Sequence, residues 1–194
     1  MEFLKVMSSP NDIKKGTVIR QNGELLVVVD FQRVSPGKGS SFVRCRAKNI
    51  KTGKVVEQNF KSSESIDFED VQYKKMQYLF GDGQFYTFMD NQTYEQVQLG
   101  IDDVGDSGKF LKEGLEATIV MHGETPLTIN LPMKIQYTVT STEPAVKGDT
   151  ASGNVTKEAI LDNGLAIRVP IFLKEGDEVL VNTDTGEYCE RVNG

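Results

Sequence analysis

The 194-residue chain has no tryptophan, two cysteines, one histidine and six prolines, and its apolar runs are all short. Each shortage excludes a class of chemistry. A helical membrane span needs about 20 consecutive apolar residues, which this chain does not offer, so no membrane partner is expected. Cys45 and Cys189 lie far apart in the chain and read as reduced structural residues rather than a disulfide. With His122 as the only histidine they are too few to hold zinc, and no metal or other cofactor is expected. His122 precedes Gly-Glu-Thr-Pro and suits a turn or surface role better than a Ser-His-Asp arrangement. Asp102 and Asp103 are adjacent carboxylates that read as solvated loop acids. The N-terminal stretch carries an acid at position 2 and only a short apolar patch, unlike a signal peptide, so a cytoplasmic protein is expected.

The net charge of −6 conceals an uneven distribution. Residues 1–68 carry twelve Lys and Arg against seven Asp and Glu; residues 69–131 carry four against eleven, and residues 132–194 six against ten. Between Arg33 and Lys61 eight basic residues face a single acid, Glu57. A polyanion would meet the N-terminal third first, while the acidic remainder limits indiscriminate binding. A solvated basic face is the plainer reading, and the position of the cluster beside a probable loop tip favours RNA.

The local pattern is strand and turn almost throughout. Asn22-Gly23 sits between two β-rich runs, a two-residue hairpin signal, and Asp82-Gly83 repeats that signal between aromatic-rich runs. In Ser41–Asn49, Val43, Cys45 and Ala47 fall on one face, and Arg44, Arg46 and Lys48 on the other. A half-buried strand thus presents a row of three cations. The segment Gly105–Gly114 predicts one short helix, with Asp106 or Ser107 as N-cap and Gly114 as its stop. These patterns predict an all-β protein of three small barrels: an SH3-like domain over 1–68 and two OB-fold domains over 69–131 and 132–194.

Two loops stand out. Ser35–Ser41 reads Ser-Pro-Gly-Lys-Gly-Ser-Ser, which invites a phosphate-loop reading. It fails the template, because a Walker A lysine follows its second glycine and opens a helix, whereas here Gly39 follows Lys38 and a strand comes next. Pro36 stiffens the approach, and Gly37 and Gly39 leave Lys38 uncrowded, so the loop presents one lysine outward to meet a phosphate or to be modified. In the second loop Gly148, Asp149 and Thr150 offer backbone N–H, carboxylate and hydroxyl groups, which suit unpaired RNA bases as well as an ordinary turn. No constellation for catalysis emerges, and the chain is read as a non-enzyme.

Several runs together resemble the bacterial translation elongation factor P family along essentially the whole chain. They are Pro36–Gly39 followed by Phe42–Arg44, Thr52-Gly53, Phe60–Ser62, Gly81–Asp90 and Lys147–Gly176, with Lys157, Ala159, Gly164, Ile167, Val169, Pro170, Leu173 and Gly176 at the spacing of the family's C-terminal signature. The resemblance implies a three-domain, L-shaped tRNA mimic with a KOW-like (SH3-like) first domain and two OB barrels. It implies a monomer that binds both ribosomal subunits between the peptidyl-tRNA and exit sites and relieves stalling at consecutive prolines. Lys38 would reach the CCA end of the peptidyl-tRNA and be a substrate for a lysine-modifying enzyme, and Gly148, Asp149 and Thr150 would lie at the exit-site codon. Arg33, Arg44, Arg46 and Lys48 would neutralise RNA phosphates. Ser35, Ser40 and Ser41 depart from the small residues that the family often has beside this loop. The alternatives are a general RNA-binding or ribosome-assembly protein with OB domains, and an enzyme with a reactive lysine.

Overall fold

The computed structural model describes residues 6–37, 39–143 and 155–192. Its first sheet comprises β1 (Val6–Ser8), β2 (Val18–Gln21), β3 (Glu24–Val34), β4 (Phe42–Asn49), β5 (Val55–Lys61) and β6 (Ile66–Phe68), in the antiparallel order β1-β6-β2-β3-β4-β5. Asn22 and Gly23 adopt φ of 51° and 81°, the mirror-image turn whose twist matches that of the strands it joins. A bulge between Val28 and Asp30 bends the long β3 and lets one strand serve a curved sheet. The alternation in β4 is as predicted: Val43, Cys45 and Ala47 are buried, while Arg44 and Arg46 are exposed. Ile13, Ile19, Val28, Val43, Cys45, Phe60 and Ile66 form this barrel's core.

The second sheet comprises β7 (Gln72–Gly81), β8 (Phe85–Met89), β9 (Gln96–Gly100), β10 (Glu116–His122) and β11 (Thr125–Asn130), ordered β11-β10-β7-β8-β9. Between β9 and β10 the chain forms a short α-helix, α1 (Ile101–Val104), that runs directly into a 3-10 helix over Gly105–Phe110. The helical segment therefore starts and stops earlier than the sequence reading placed it. Leu111 is already extended, and Gly114, at φ 82°, serves the turn into β10 rather than a helix end. The physical cause is visible in the burial: Val104, Ser107 and Phe110 are the buried residues of this segment, three apart, which is the 3-10 period.

The third sheet comprises β12 (Lys134–Thr142), β13 (Thr156–Leu161), β14 (Ala166–Pro170), β15 (Glu178–Asn182) and β16 (Tyr188–Arg191), ordered β14-β13-β12-β15-β16. Its core, built on Tyr137, Leu161, Val169, Leu173 and Val181, also takes in Phe110 from the helical segment. The molecule is thus all-β apart from short helical turns, as expected. No helix among the described residues is long and apolar enough to cross a membrane.

The junctions between barrels are side-chain specific. Val18, Val27 and Leu127 form a small apolar cluster flanked by Leu25, Ile50 and Val71, joining the first barrel to the second. Beside it Glu69, only 6% exposed, receives Arg20 at 2.7 Å and faces His122 at 3.3 Å. On the other side Tyr137 donates to the Phe110 carbonyl, Asn163 Nδ2 donates to the carbonyls of Lys109 and Leu111, and Lys112 pairs with Asp162.

Candidate nucleic-acid interface

The basic stretch chosen from the sequence occupies one hairpin, β3–β4, and the open side of its sheet. At the mouth of the loop the Ser35 and Ser41 hydroxyls lie 3.2 Å apart, and Ser62 N–H donates to the Ser41 carbonyl, so Ser41 is held both across the hairpin and to the strand beyond it. Pro36 and Gly37 are exposed, and a Cβ at Gly37 would meet nothing within 4 Å. Gly39 has φ of 110°, a region that L side chains rarely adopt, so here the glycine is required by the backbone itself. Lys38 lies outside the described residues, as do Gly148, Asp149 and Thr150 of the second loop.

The four cations expected to meet phosphate prove unequal. Arg33 donates from Nη2 to the carbonyls of Asn11 at 2.9 Å and Ile13 at 3.3 Å, and its guanidinium lies 5.0 Å from the centre of the Phe31 ring. It clasps the N-terminal 3-10 turn (Pro10–Asp12) and the residue after it to the hairpin. Arg44 lies 3.4 Å from Glu57, with both side chains about half exposed, a pairing that solvent weakens and that leaves the arginine available. Arg46 is exposed and has no side-chain partner among the described residues, although its neighbours across the sheet are Asp30 and Glu57. Lys48 is 14% exposed and its Nζ sits 2.7 Å from Asp103 Oδ1 on α1. The alternating row therefore splits, with Lys48 turned to the second barrel and Arg44 and Arg46 facing outward.

Asp103, read from the sequence as a solvated acid, is thus a partner of the first barrel. Nothing in a lone Asp-Asp pair signals such a partner; only the approach of two sheets creates it. Ser107 is a second such residue, accepting a hydrogen bond from Lys15 Nζ at 3.3 Å. His122 closes the β10–β11 hairpin, consistent with a turn position, but its ring also faces Glu69. A cleft of about 690 Å³ opens where Lys15, Arg46, Lys48, Asp103, Lys109 and Asp184 converge. Both acids and bases line it, and no cluster of His, Cys, Asp or Glu among the described residues could hold a metal ion.

Three family models match in succession: the "Elongation factor P (EF-P) KOW-like domain" over residues 9–66, the "Elongation factor P (EF-P) OB domain" over 71–129, and "Elongation factor P, C-terminal" over 135–191. The chain belongs to the elongation factor P family. Elongation factor P of Alkaliphilus oremlandii is 47% identical over 186 residues, covering 96% of this chain and 100% of that protein. Elongation factor P of Acidothermus cellulolyticus is 44% identical over 187 residues with the same coverage. Among solved structures, translation initiation factor 5A from Methanococcus jannaschii aligns with 23% identity and a TM-score of 0.39, over 68% of this chain and 98% of its own.

Proposed function

We propose that this member of the family of translation elongation factors binds the ribosome between the peptidyl-tRNA and exit sites and promotes peptide-bond formation at consecutive prolines. The observation that supports the reading is family membership along nearly the whole chain, combined with a Pro-Gly-Lys-Gly sequence between Ser35 and Ser41, whose hydroxyls meet across the β3–β4 hairpin. Lys38 meets the CCA end of the peptidyl-tRNA, either as lysine or lengthened by a modifying enzyme. Arg44 and Arg46, the two outward cations of β4, neutralise RNA phosphates, a sequence-independent and salt-sensitive anchor. Gly148, Asp149 and Thr150 address the exit-site codon. Proline is a constrained acceptor and donor, so orienting the reacting ends lowers the barrier without a covalent step on the factor. The protein acts in the cytoplasm as a monomer, with domains at 1–68, 69–131 and 132–194.

The test is a reconstituted translation reaction on a message encoding consecutive prolines, with and without the protein. Acceleration confined to the proline stretch, lost in Lys38→Ala, supports the proposal. Equal rates with and without the protein refute it. Acceleration that survives Lys38→Ala but not loss of Arg44 and Arg46 points instead to a general RNA-binding role.

A further inference from the structure

We propose that Asp103 is a positioning residue, which fixes the direction of the β3–β4 hairpin through its ion pair with Lys48. The inference rests on the elongation reading above and concerns how the loop tip is aimed.

Lys48 and Asp103 come from different barrels, with Nζ and Oδ1 at 2.7 Å and the lysine largely buried. Both ends of this bridge are anchored. Lys48 lies on β4, which is paired on either side by β3 and β5 along its length. Asp103 lies on α1, whose Asp103 carbonyl accepts a hydrogen bond from Thr128 Oγ1 of β11 at 2.9 Å. The second carboxylate oxygen lies back over Gly100, where an added Cβ would approach it to 3.2 Å. The carboxylate therefore has a defined place, and the ammonium it holds sits at the root of the strand that ends in the loop.

Leverage makes the contact matter. From Lys48 to Phe42 the strand covers six residue steps, roughly 20 Å at about 3.3 Å each. A rotation of about 5° at the root moves the loop by about 1.7 Å, and misplacement of about 1 Å can cost a positioned reaction two orders of magnitude. The apolar cluster of Val18, Val27 and Leu127 holds the barrels together but is non-directional. The Lys48–Asp103 pair, the shortest polar contact from β4 to the second barrel among the described residues, adds a bearing beside the longer Lys15–Ser107 and Glu69–His122 contacts.

The experiment compares the full chain with Asp103→Asn, Asp103→Lys, Lys48→Asp and the exchanged pair Lys48→Asp/Asp103→Lys in the proline-stretch reaction. Each is titrated to separate the maximal rate from the half-saturating concentration. Spin labels at exposed Thr52 and Gln92 report the distance distribution between the first two barrels. Asp103→Lys is expected to lower the maximal rate about tenfold or more, with unchanged half-saturation and a broadened distribution, and the exchanged pair to recover both. Asp103→Asn gives a smaller loss in the same direction. Full maximal rate and an unbroadened distribution in Asp103→Lys overturn the proposal. So does a Lys48→Asp loss that the exchange fails to repair, which would assign Lys48 to RNA. If the unaltered protein gives no acceleration, the elongation reading itself has failed, an outcome distinct from these.

Discussion

Tyr137, fully buried in the third barrel, donates its hydroxyl to the backbone carbonyl of Phe110, whose own ring lies in the same core. One bond thus seals the third barrel onto the helical segment of the second. Tyr137→Phe leaves that carbonyl without its partner and is expected to cost about 1–3 kcal/mol in denaturant unfolding. Burial, and to a lesser degree the charge of Asp162, pushes the phenol pKa up. The native protein then holds a proton that the unfolded chain releases near pH 10, so stability falls as pH rises above about 10. In Tyr137→Phe this alkaline decline should be visibly reduced.

Gly108 marks another close approach. A Cβ there would overlap the hydroxyl end of the Tyr86 ring, and a rigid ring in a packed position cannot simply swing away. Gly108→Ala should destabilise by about 1–3 kcal/mol through overpacking, read as a lowered midpoint in thermal unfolding.

Glu69 gathers Arg20 and His122 at the first junction. Glu69→Ala removes the shared acceptor, and about 1–3 kcal/mol should be lost, toward the lower end because the Arg20 side chain is 40% exposed. High salt should shrink the difference between variant and parent only in part, since the carboxylate is buried.

The two thiols should separate cleanly. Burial pushes the Cys45 thiol up to about 11, and its side chain is in the first core, whereas Cys189 is partly exposed. A disulfide reagent at neutral pH should therefore label Cys189 rapidly and Cys45 only on unfolding. Rapid labelling of both in the native protein would contradict this packing.

Much of the fold was legible because its signals are local. Asn22-Gly23 must take positive φ in a tight hairpin, and the period-two alternation of β4 commits Val43, Cys45 and Ala47 to one face. The helical segment was misplaced because capping letters at Asp106 and Ser107 outweighed the three-residue spacing of Val104, Ser107 and Phe110. That spacing becomes meaningful only once one knows that two cores flank the segment. Lys48 and Arg33 show the limit for the candidate interface. Their letters say cation, and the strand position of Lys48 says outward, but a partner carboxylate on α1 and the carbonyls of Asn11 and Ile13 arrive only through the tertiary fold.

Strong acid should loosen two turns. Backbone N–H groups of Phe85 and Gln84 hold the Asp82 carboxyl below its ordinary range, and those of Gln92 and Thr93 do the same for Asp90. Such groups contribute stability above the ordinary carboxylate pKa that is lost as pH falls through the depressed value. Amide exchange at Phe85 and Gln92 should accelerate over that acidic window, and Asp82→Asn and Asp90→Asn should weaken the dependence at their own turns.

Each sheet draws its strands from one uninterrupted stretch of chain, and in the first of them β6 inserts between β1 and β2. A nascent chain folds from its N-terminus as it is made. The first barrel cannot close until Phe68 has been added, and its hairpin stays unaimed until Asp103 follows. Assembly order is thus written into strand order: shape comes first, bearing second, and the third barrel is set last against a Phe110 already in place.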